Sequence, residues 1–414
     1  MLNAKQLLGS WALVTLGLAQ SVAAERATAT SPDREAVARP TSSLATTATL
    51  SPRAVVLEDK KITLVDDALT PHWVVRACSI APAAAAPALH KAVATLTAAS
   101  PKPYTMPGYP NIAVIEEDGN IVGGGDINLA NAAKYFYQGY KDDRDFLFVF
   151  ASTKNEVSKD YNAYYRSLRN TTTGIGLDTY DYSKSYGSNG KLLGVANMNT
   201  VNKWKNFVYP LLDLWPLGVI THEMGHQWIA YVKLKSGTIT TDPNSSLRSH
   251  WDPLAHTEAS IMYGNDWKET TPPLTVFGKS IPGTYLSVGL PGGFSSLDKY
   301  LMGVHGPEKV KEFFRINATW KNILKHFAIP GNMATGSKVK LTVSDIVAAN
   351  GARNPAWKKA QTSFKGAFIL IAEKGRKPTD DELKIAEYMR KRIPEHFKKE
   401  TDNRFSISTT LNKK

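Results

Sequence analysis

The stretch PLGVITHEMGHQWIAYVKL, residues Pro216–Leu234, contains the pentad HEMGH, which matches the pattern HExxH. In an α-helix, residues four apart lie about 40° apart around the axis and about 6 Å apart along it, so the imidazoles of His222 and His226 leave the same face. Two imidazoles on one face can bind a single metal ion, with Glu223 beside the metal rather than bound to it. We therefore predict a metal-binding helix over Pro216–Leu234.

This stretch also has the composition of a buried helix. Pro216 suits a first helical turn, and Gly225 allows a neighbouring element to approach closely. Large apolar residues fill many of the remaining positions: Val219, Ile220, Trp228, Ile229 and Val232. A core helix that carries the pentad by chance is the alternative, and metal binding is favoured because the chain has only nine histidines.

The length and composition of the chain predict a globular protein. Its 414 residues are 43% hydrophobic, which allows a large core, and we expect one catalytic unit of two subdomains. The formal charge is +13, but the basic residues are dispersed among acidic ones, so no specific nucleic-acid groove is expected; an anionic cell-envelope surface stays open as a partner. The single cysteine, Cys78, excludes an internal disulfide and zinc sites built from CxxC pairs.

The first residues have the pattern of a secretory signal peptide. Met1–Ala24 contains Lys5, an apolar stretch over Leu7–Ala19 and the small residues Val22, Ala23 and Ala24 at a cleavage position. We therefore expect export, to the medium or the periplasm. No later stretch approaches the ~20 apolar residues of a transmembrane helix, so none is predicted.

The remaining chain divides into a leader and a folded unit. Glu25–Pro103 is rich in Ala, Thr, Ser and Pro, and we interpret it as a low-complexity leader, linker or propeptide. Residues 104–414 are predicted to fold, with alternating strands and helices in an α+β arrangement. Predicted strands are Ile112–Ile115, Phe146–Phe150, Leu192–Met198, Val339–Val347, Phe364–Ala372 and Phe405–Thr410, and further helices are Asn128–Tyr140, Tyr161–Leu168, Ser295–Gly303, Glu308–Phe314 and Thr379–Arg392.

A third metal ligand must come from outside the pentad. Catalytic zinc takes three protein ligands and keeps a fourth position for water. The segment SHWDPLAHTEASIMYGNDW starts at residue 249, far enough after the pentad for the chain to leave the helix and return. It offers His250, Asp252, His256 and Glu258, and the spacing alone does not choose among them.

The pentad resembles the metal motif of the zincin metallopeptidases. The sequence SIMY at 260–263 looks like the Met-turn beneath the metal of metzincins, although Ile229 and Val232 stand where the extended motif HExxHxxGxxH has Gly and His. The blocks HEMGHQW, SHW, ASIMYGNDW and SSLDKYLMG resemble a group of secreted, mostly uncharacterised bacterial HExxH proteins. This resemblance covers about Asn111 to the C-terminus.

The resemblance implies a zincin-like unit in which a twisted mixed sheet backs the metal helix and a mainly helical and loop-rich C-terminal subdomain follows. It favours His250 as the third zinc ligand, in a three-histidine site like that of metzincins, with Glu258 as the alternative ligand of a His₂Glu site. The strand Leu193–Met198 would then border the cleft and pair with an extended substrate.

The activity that this implies is a secreted zinc endopeptidase acting on a protein or peptide. Glu223 is the expected general base, and Tyr263 is the expected hydrogen-bond donor to the tetrahedral oxygen. Asp298 either holds a ligand histidine or, as we favour, caps the SSLDKYLMG helix. The alternative function is an exported cell-surface or polymer-binding protein that keeps a non-catalytic metal site.

Overall fold

A computed structural model describes residues 101–152, 157–158, 161–209, 213–234, 237–239, 249–276 and 279–414. The predicted signal peptide lies outside these residues, as do Cys78 and the predicted leader up to residue 100. The described residues form an α+β fold, as predicted, and none of their helices is both long and apolar enough to cross a membrane.

The described residues contain five α-helices: α1 (Leu129–Gly139), α2 (Leu214–Gly225), α3 (Ser296–Met302), α4 (Val343–Asn350) and α5 (Asp380–Glu400). Their β-strands are β1 (Tyr104–Met106), β2 (Tyr109–Glu116), β3 (Val122–Gly123), β4 (Asp126–Ile127), β5 (Phe146–Ala151), β6 (Tyr164–Ser167), β7 (Arg169–Asn170), β8 (Tyr180–Asp181), β9 (Gly194–Thr200), β10 (Lys233–Leu234), β11 (Gly237–Thr238), β12 (Trp251–His256), β13 (Tyr263–Asn265), β14 (Trp267–Glu269), β15 (Leu274–Val276), β16 (Lys279–Ile281), β17 (Thr284–Ser287), β18 (Phe313–Asn322), β19 (Met333–Leu341), β20 (Ser363–Ala372) and β21 (Ser406–Ser408).

A seven-stranded mixed sheet forms the centre of the fold. Its order is β1-β2-β20-β5-β9-β6, and β21 pairs with the first residues of β20. The middle strands β2, β20, β5 and β9 run parallel, whereas β1 and β6 are antiparallel to their neighbours. Every residue of β5, FLFVFA, is buried because α1 covers one face of the sheet and α2 and α5 cover the other.

A second sheet, of six strands, lies in the chain after α2. Its order is β13-β12-β18-β19-β17-β14, and its small core contains Trp267, Tyr285, Phe314 and Ile316. The prediction of a mainly helical and loop-rich C-terminal subdomain was therefore wrong. Three of these strands have only three or four residues, too few for an alternating pattern to be visible in the sequence.

The predicted metal helix is shorter than the sequence indicated. Helix α2 ends at Gly225 with His226 as its C-cap, and the next strand, β10, begins at Lys233. The hydroxyl of Tyr231 donates to the carbonyl oxygen of His226 at 2.6 Å, which satisfies an acceptor that a continuing helix would have used. The Ala230 N–H likewise donates to the Ser249 carbonyl oxygen at 3.2 Å, so one local side-chain bond and one bond to a distant segment replace the bonds of a continuing helix.

Three other predicted elements differ from the structure. The predicted helix Tyr161–Leu168 contains strand β6, whose YYRS sequence pairs with β9. Because β6 covers it, β9 is not an edge strand, and the predicted substrate-binding edge at Leu193–Met198 was wrong. The segment predicted as helix Glu308–Phe314 contains a single 3₁₀ turn and then the start of β18. The segment predicted as strand Val339–Val347 is a strand only as far as Leu341, because Thr342 is the N-cap of α4.

Candidate metal centre

Three histidine side chains meet at the end of α2. The backbone N–H of His226 still donates to the His222 carbonyl oxygen at 3.3 Å, so both imidazoles leave the same side of the helix end. Their Nε2 atoms are 3.1 Å apart, and Nε2 of His250, which directly precedes β12, is 3.1 Å from Nε2 of His222. The ligand atoms of all three residues lie within 4.8 Å of one another, close enough to bind one metal ion.

The hydrogen bond of His222 fixes which of its nitrogens can bind a metal. Its Nδ1 lies 2.7 Å from the carbonyl oxygen of Ile261, which can only accept, so Nδ1 carries the proton. In a neutral imidazole the Nε2 atom then holds a lone pair that points at the other two histidines. The lone pair on Nε2 can accept only one in-plane hydrogen bond, but the Nε2 atoms of both His226 and His250 lie 3.1 Å from it. A single metal ion would bind all three nitrogens, whereas one hydrogen bond joins only two of them.

The donor set fits a tetrahedral metal ion. Zinc–nitrogen bonds of 2.0–2.1 Å at tetrahedral angles place ligand nitrogens about 3.3 Å apart, near the 3.1 Å observed for both pairs. Burial lowers the pKa of His222 to about 4, although the Ile261 carbonyl opposes this shift. Burial also lowers the pKa of His226 well below its ordinary value, and the neighbouring His222 and His250 lower it further. His222 and His226 therefore present neutral imidazoles, as metal binding requires.

The turn at 260–263 packs around this centre in three ways. The Ile261 carbonyl orients His222, and the Tyr263 ring stacks on the His250 ring with centroids 4.2 Å apart and planes 16° apart. The Met262 side chain lies beneath α2, because a β-carbon added at Gly225 would be 2.7 Å from the Met262 Sδ. The turn at 260–263 thus packs against α2, and Gly225 makes the close approach feasible.

A buried carboxylate connects this turn to the third histidine. Asp298 accepts from Trp251 Nε1 at 2.7 Å and from Ser260 Oγ at 2.6 Å, so it ties the residue after His250 to the start of the turn. It also accepts from the backbone N–H of Ser295 at 2.7 Å and completes the capping box of α3. The predicted capping role is confirmed, and Asp298 additionally holds Trp251, which follows His250, and Ser260, which precedes Ile261. Burial raises the pKa of its carboxyl, although these donors oppose the shift.

The other residues of the 249–267 segment lie elsewhere. Glu258, the alternative third ligand, accepts from the Ser296 N–H at 2.7 Å and pairs with Lys311 at 2.6 Å. Those contacts lower the pKa of the Glu258 carboxyl, although burial opposes the shift. Asp252 caps its own turn at Leu254 N, and His256 Nδ1 accepts from the Trp267 N–H. None of these three residues belongs to the cluster that the described residues form.

The predicted catalytic residues are both buried. Glu223 is fully buried on α2 between the two helix histidines, and Tyr263 is buried against His250. The sequence did not reveal the role of Gln227, whose side chain accepts from Tyr165 at 2.7 Å and donates to the Arg169 carbonyl. These two hydrogen bonds of Gln227 hold the backbone directly after His226. The only sequence signal for this role was the position of Gln227 in the HEMGHQW block.

Comparison of the chain with models of protein families, with curated proteins and with solved structures gives no match. The geometry of the three histidines is therefore the basis for assigning a function.

Proposed function

We propose that the chain is a secreted, zinc-dependent endopeptidase. The observation that carries this proposal is the convergence of His222, His226 and His250 at the end of the helix that also bears Glu223. Imidazole nitrogens suit zinc, and a two-plus ion would offset part of the desolvation cost of the buried Glu223 carboxylate. The proposed export, to the medium or the periplasm, rests on the signal-peptide pattern of Met1–Ala24.

Each group has a defined chemical task in this proposal. His222, His226 and His250 would hold the zinc ion, which when bound would supply Lewis-acid chemistry to a water molecule and to the scissile carbonyl. Glu223 accepts the proton of the attacking water on its carboxylate and delivers it to the leaving amine. Tyr263, whose ring is held against His250, donates a hydrogen bond to the oxygen on which negative charge develops.

The substrate-binding edge that we propose is β6 rather than β9. Among the described strands of the central sheet, β6 is the outermost on the side of α2, and Tyr165 bonds to Gln227 directly after His226. An extended peptide would add to this edge through backbone hydrogen bonds. The central sheet behind α2 and the Met-turn beneath it would then form a zincin-like catalytic unit.

One observation favours a second function, a non-catalytic metal site in an exported surface or polymer-binding protein. Glu223, His226 and His250 have 0% exposed surface, whereas a peptidase must admit a peptide to its metal. A closed site of this kind is typical of structural zinc. Structural zinc sites, however, have four protein ligands rather than three, and they do not need a general base such as Glu223.

Metal analysis and casein hydrolysis by Glu223→Gln separate the two functions. The endopeptidase proposal expects the variant to keep its zinc and lose turnover, since glutamine is nearly isosteric but cannot accept the proton. Glu117→Gln, another buried carboxylate on a different element, is the matched control and should retain activity. Equal hydrolysis by parent and Glu223→Gln would refute the mechanism, and zinc without any hydrolysis in the parent would support the structural role.

A further inference from the structure

The hairpin of β18 and β19 ends in a loop, residues 323–332, that differs from an ordinary polar loop. Its sequence is ILKHFAIPGN, and the residue Trp320 lies just before it. Trp320 is 51% exposed and Leu324 is 57% exposed, which places both among the most exposed large apolar side chains of the described residues. Such side chains on a surface mark an interaction site when they are grouped.

The charged residues within the hairpin sequence have one sign. The hairpin sequence from Phe313 to Leu341 contains no acidic residue and five basic ones: Arg315, Lys321, Lys325, Lys338 and Lys340. Lys321 directly follows Trp320 and Lys325 directly follows Leu324, so each exposed apolar residue has a basic residue next to it in the sequence. An anionic partner complements the charge of this hairpin.

The loop is held in one conformation by Asn332. This buried side chain donates to Lys325 O at 2.9 Å and to Phe327 O at 3.1 Å, while its Oδ1 accepts from the Leu324 N–H at 2.9 Å. Phe327 also contacts Tyr263, with ring centroids 6.0 Å apart. The outward position of Leu324 is therefore fixed by the fold, and docking would not require the loop to order first.

We propose that this hairpin end docks on an anionic lipid surface, with Trp320 and Leu324 at the headgroup level and Lys321 and Lys325 against the phosphates. Tryptophan is favoured at lipid interfaces, and lysine reaches headgroups while its stem stays in apolar surroundings. An anionic polysaccharide or nucleic acid could also pair with the lysines. A hydrated polymer would leave the Leu324 side chain in water, whereas a lipid interface removes its apolar surface from water, so we favour lipid. The proposal concerns binding and holds whether or not the chain cleaves peptides.

Vesicle sedimentation of the full chain tests the proposal. The parent should bind vesicles of phosphatidylcholine with phosphatidylglycerol better than vesicles of phosphatidylcholine alone, and salt should weaken binding. Trp320→Ser/Leu324→Ser should reduce binding to the anionic vesicles on the order of tenfold or more. Lys321→Gln/Lys325→Gln should reduce it by a similar factor, since each lysine contributes about fivefold.

The matched control is Val288→Ser/Leu290→Ser. These residues are 52% and 43% exposed and form a comparable apolar pair, but no lysine lies next to either in the sequence. This variant should bind like the parent, and unchanged thermal unfolding will show that all variants are folded. Equal vesicle binding by Trp320→Ser/Leu324→Ser and the parent would overturn the proposal. Loss of heparin retention in the lysine variant, with vesicle binding unchanged, would instead identify an anionic polymer as the partner.

Discussion

The carbonyl oxygen of Ile261 lies 2.7 Å from Nδ1 of His222. This contact joins the turn at 260–263 to the first helix histidine and selects the tautomer whose Nε2 faces His226 and His250. The turn also carries Tyr263 against His250 and Met262 against Gly225. The arrangement of the three histidines therefore involves this turn as well as the pentad.

Gly225→Ala should disturb the centre from beneath. The new β-carbon would be 2.7 Å from Met262 Sδ and 2.9 Å from Phe294 Cε1, so the turn or the helix must shift. We expect a loss of about 1–3 kcal/mol in unfolding free energy, as for an overpacked core, together with weaker zinc binding. Gly218→Ala in the same helix is the control, because its nearest neighbour would be at an ordinary 3.7 Å, and it should bind zinc normally.

Asp298→Asn should weaken zinc binding by about 10–100-fold without removing a ligand. An amide keeps one acceptor oxygen, but its NH₂ group cannot accept a hydrogen bond, so either Trp251 Nε1 or Ser260 Oγ loses its acceptor and the link between the two segments is broken. Competition with a zinc chelator measures the effect. Ser295→Ala removes the side-chain cap of α3 alone and should cost about 1 kcal/mol of stability while leaving zinc affinity nearly unchanged. Equal zinc affinities for Asp298→Asn and Ser295→Ala would limit Asp298 to capping.

His250→Ala should strip zinc far more completely than Glu258→Ala. The His250 Nε2 lies 3.1 Å from that of His222, whereas the Glu258 carboxylate is bound to Lys311 and to the Ser296 N–H. Elemental analysis after dialysis gives the zinc content of each variant. The opposite order would mean that Glu258 leaves its ion pair to complete a His₂Glu site.

The metal-free chain should lose stability in acid. The pKa of His222 is lowered to about 4 from an ordinary value of 6.5, so the folded chain binds fewer protons there than the unfolded chain does. The contribution of neutral His222 to the free energy of unfolding is therefore complete above pH 6.5. It is lost progressively as the pH falls towards about 4. Denaturant unfolding of chelator-treated protein across this range should show falling free energy. Added zinc should reduce the loss at moderate acidity, because protons and metal compete for the same nitrogens.

The sequence predicted the helix histidines well because their relation is local. An i, i+4 pair on a helix turn needs no tertiary information, and the grouping with His250 agrees with the observed distances. The Ile261 carbonyl was not predictable, since a backbone acceptor leaves no residue signature. The helix was predicted too long because Tyr231 and Ser249, rather than a local stop signal, end it.

The main strands followed their hydrophobic patterns, whereas the second sheet did not. FLFVF gave β5 directly because a strand buried on both faces is continuously apolar. In contrast, β18 is exposed over its last residues and β19 over residues 337–340, and their polar residues conceal the alternation. The central place of β20 depends on pairing with β2 and β5, which are distant in sequence and leave no local signal.

The most direct test of the three-histidine centre is zinc X-ray absorption spectroscopy on the purified full chain. We predict one zinc per chain with three imidazole nitrogens and one oxygen at about 2.0–2.1 Å, and loss of an imidazole contribution or of zinc itself in His250→Ala. A chain that binds no zinc, or a bound zinc with fewer than three imidazole ligands, would contradict the site described by His222, His226 and His250.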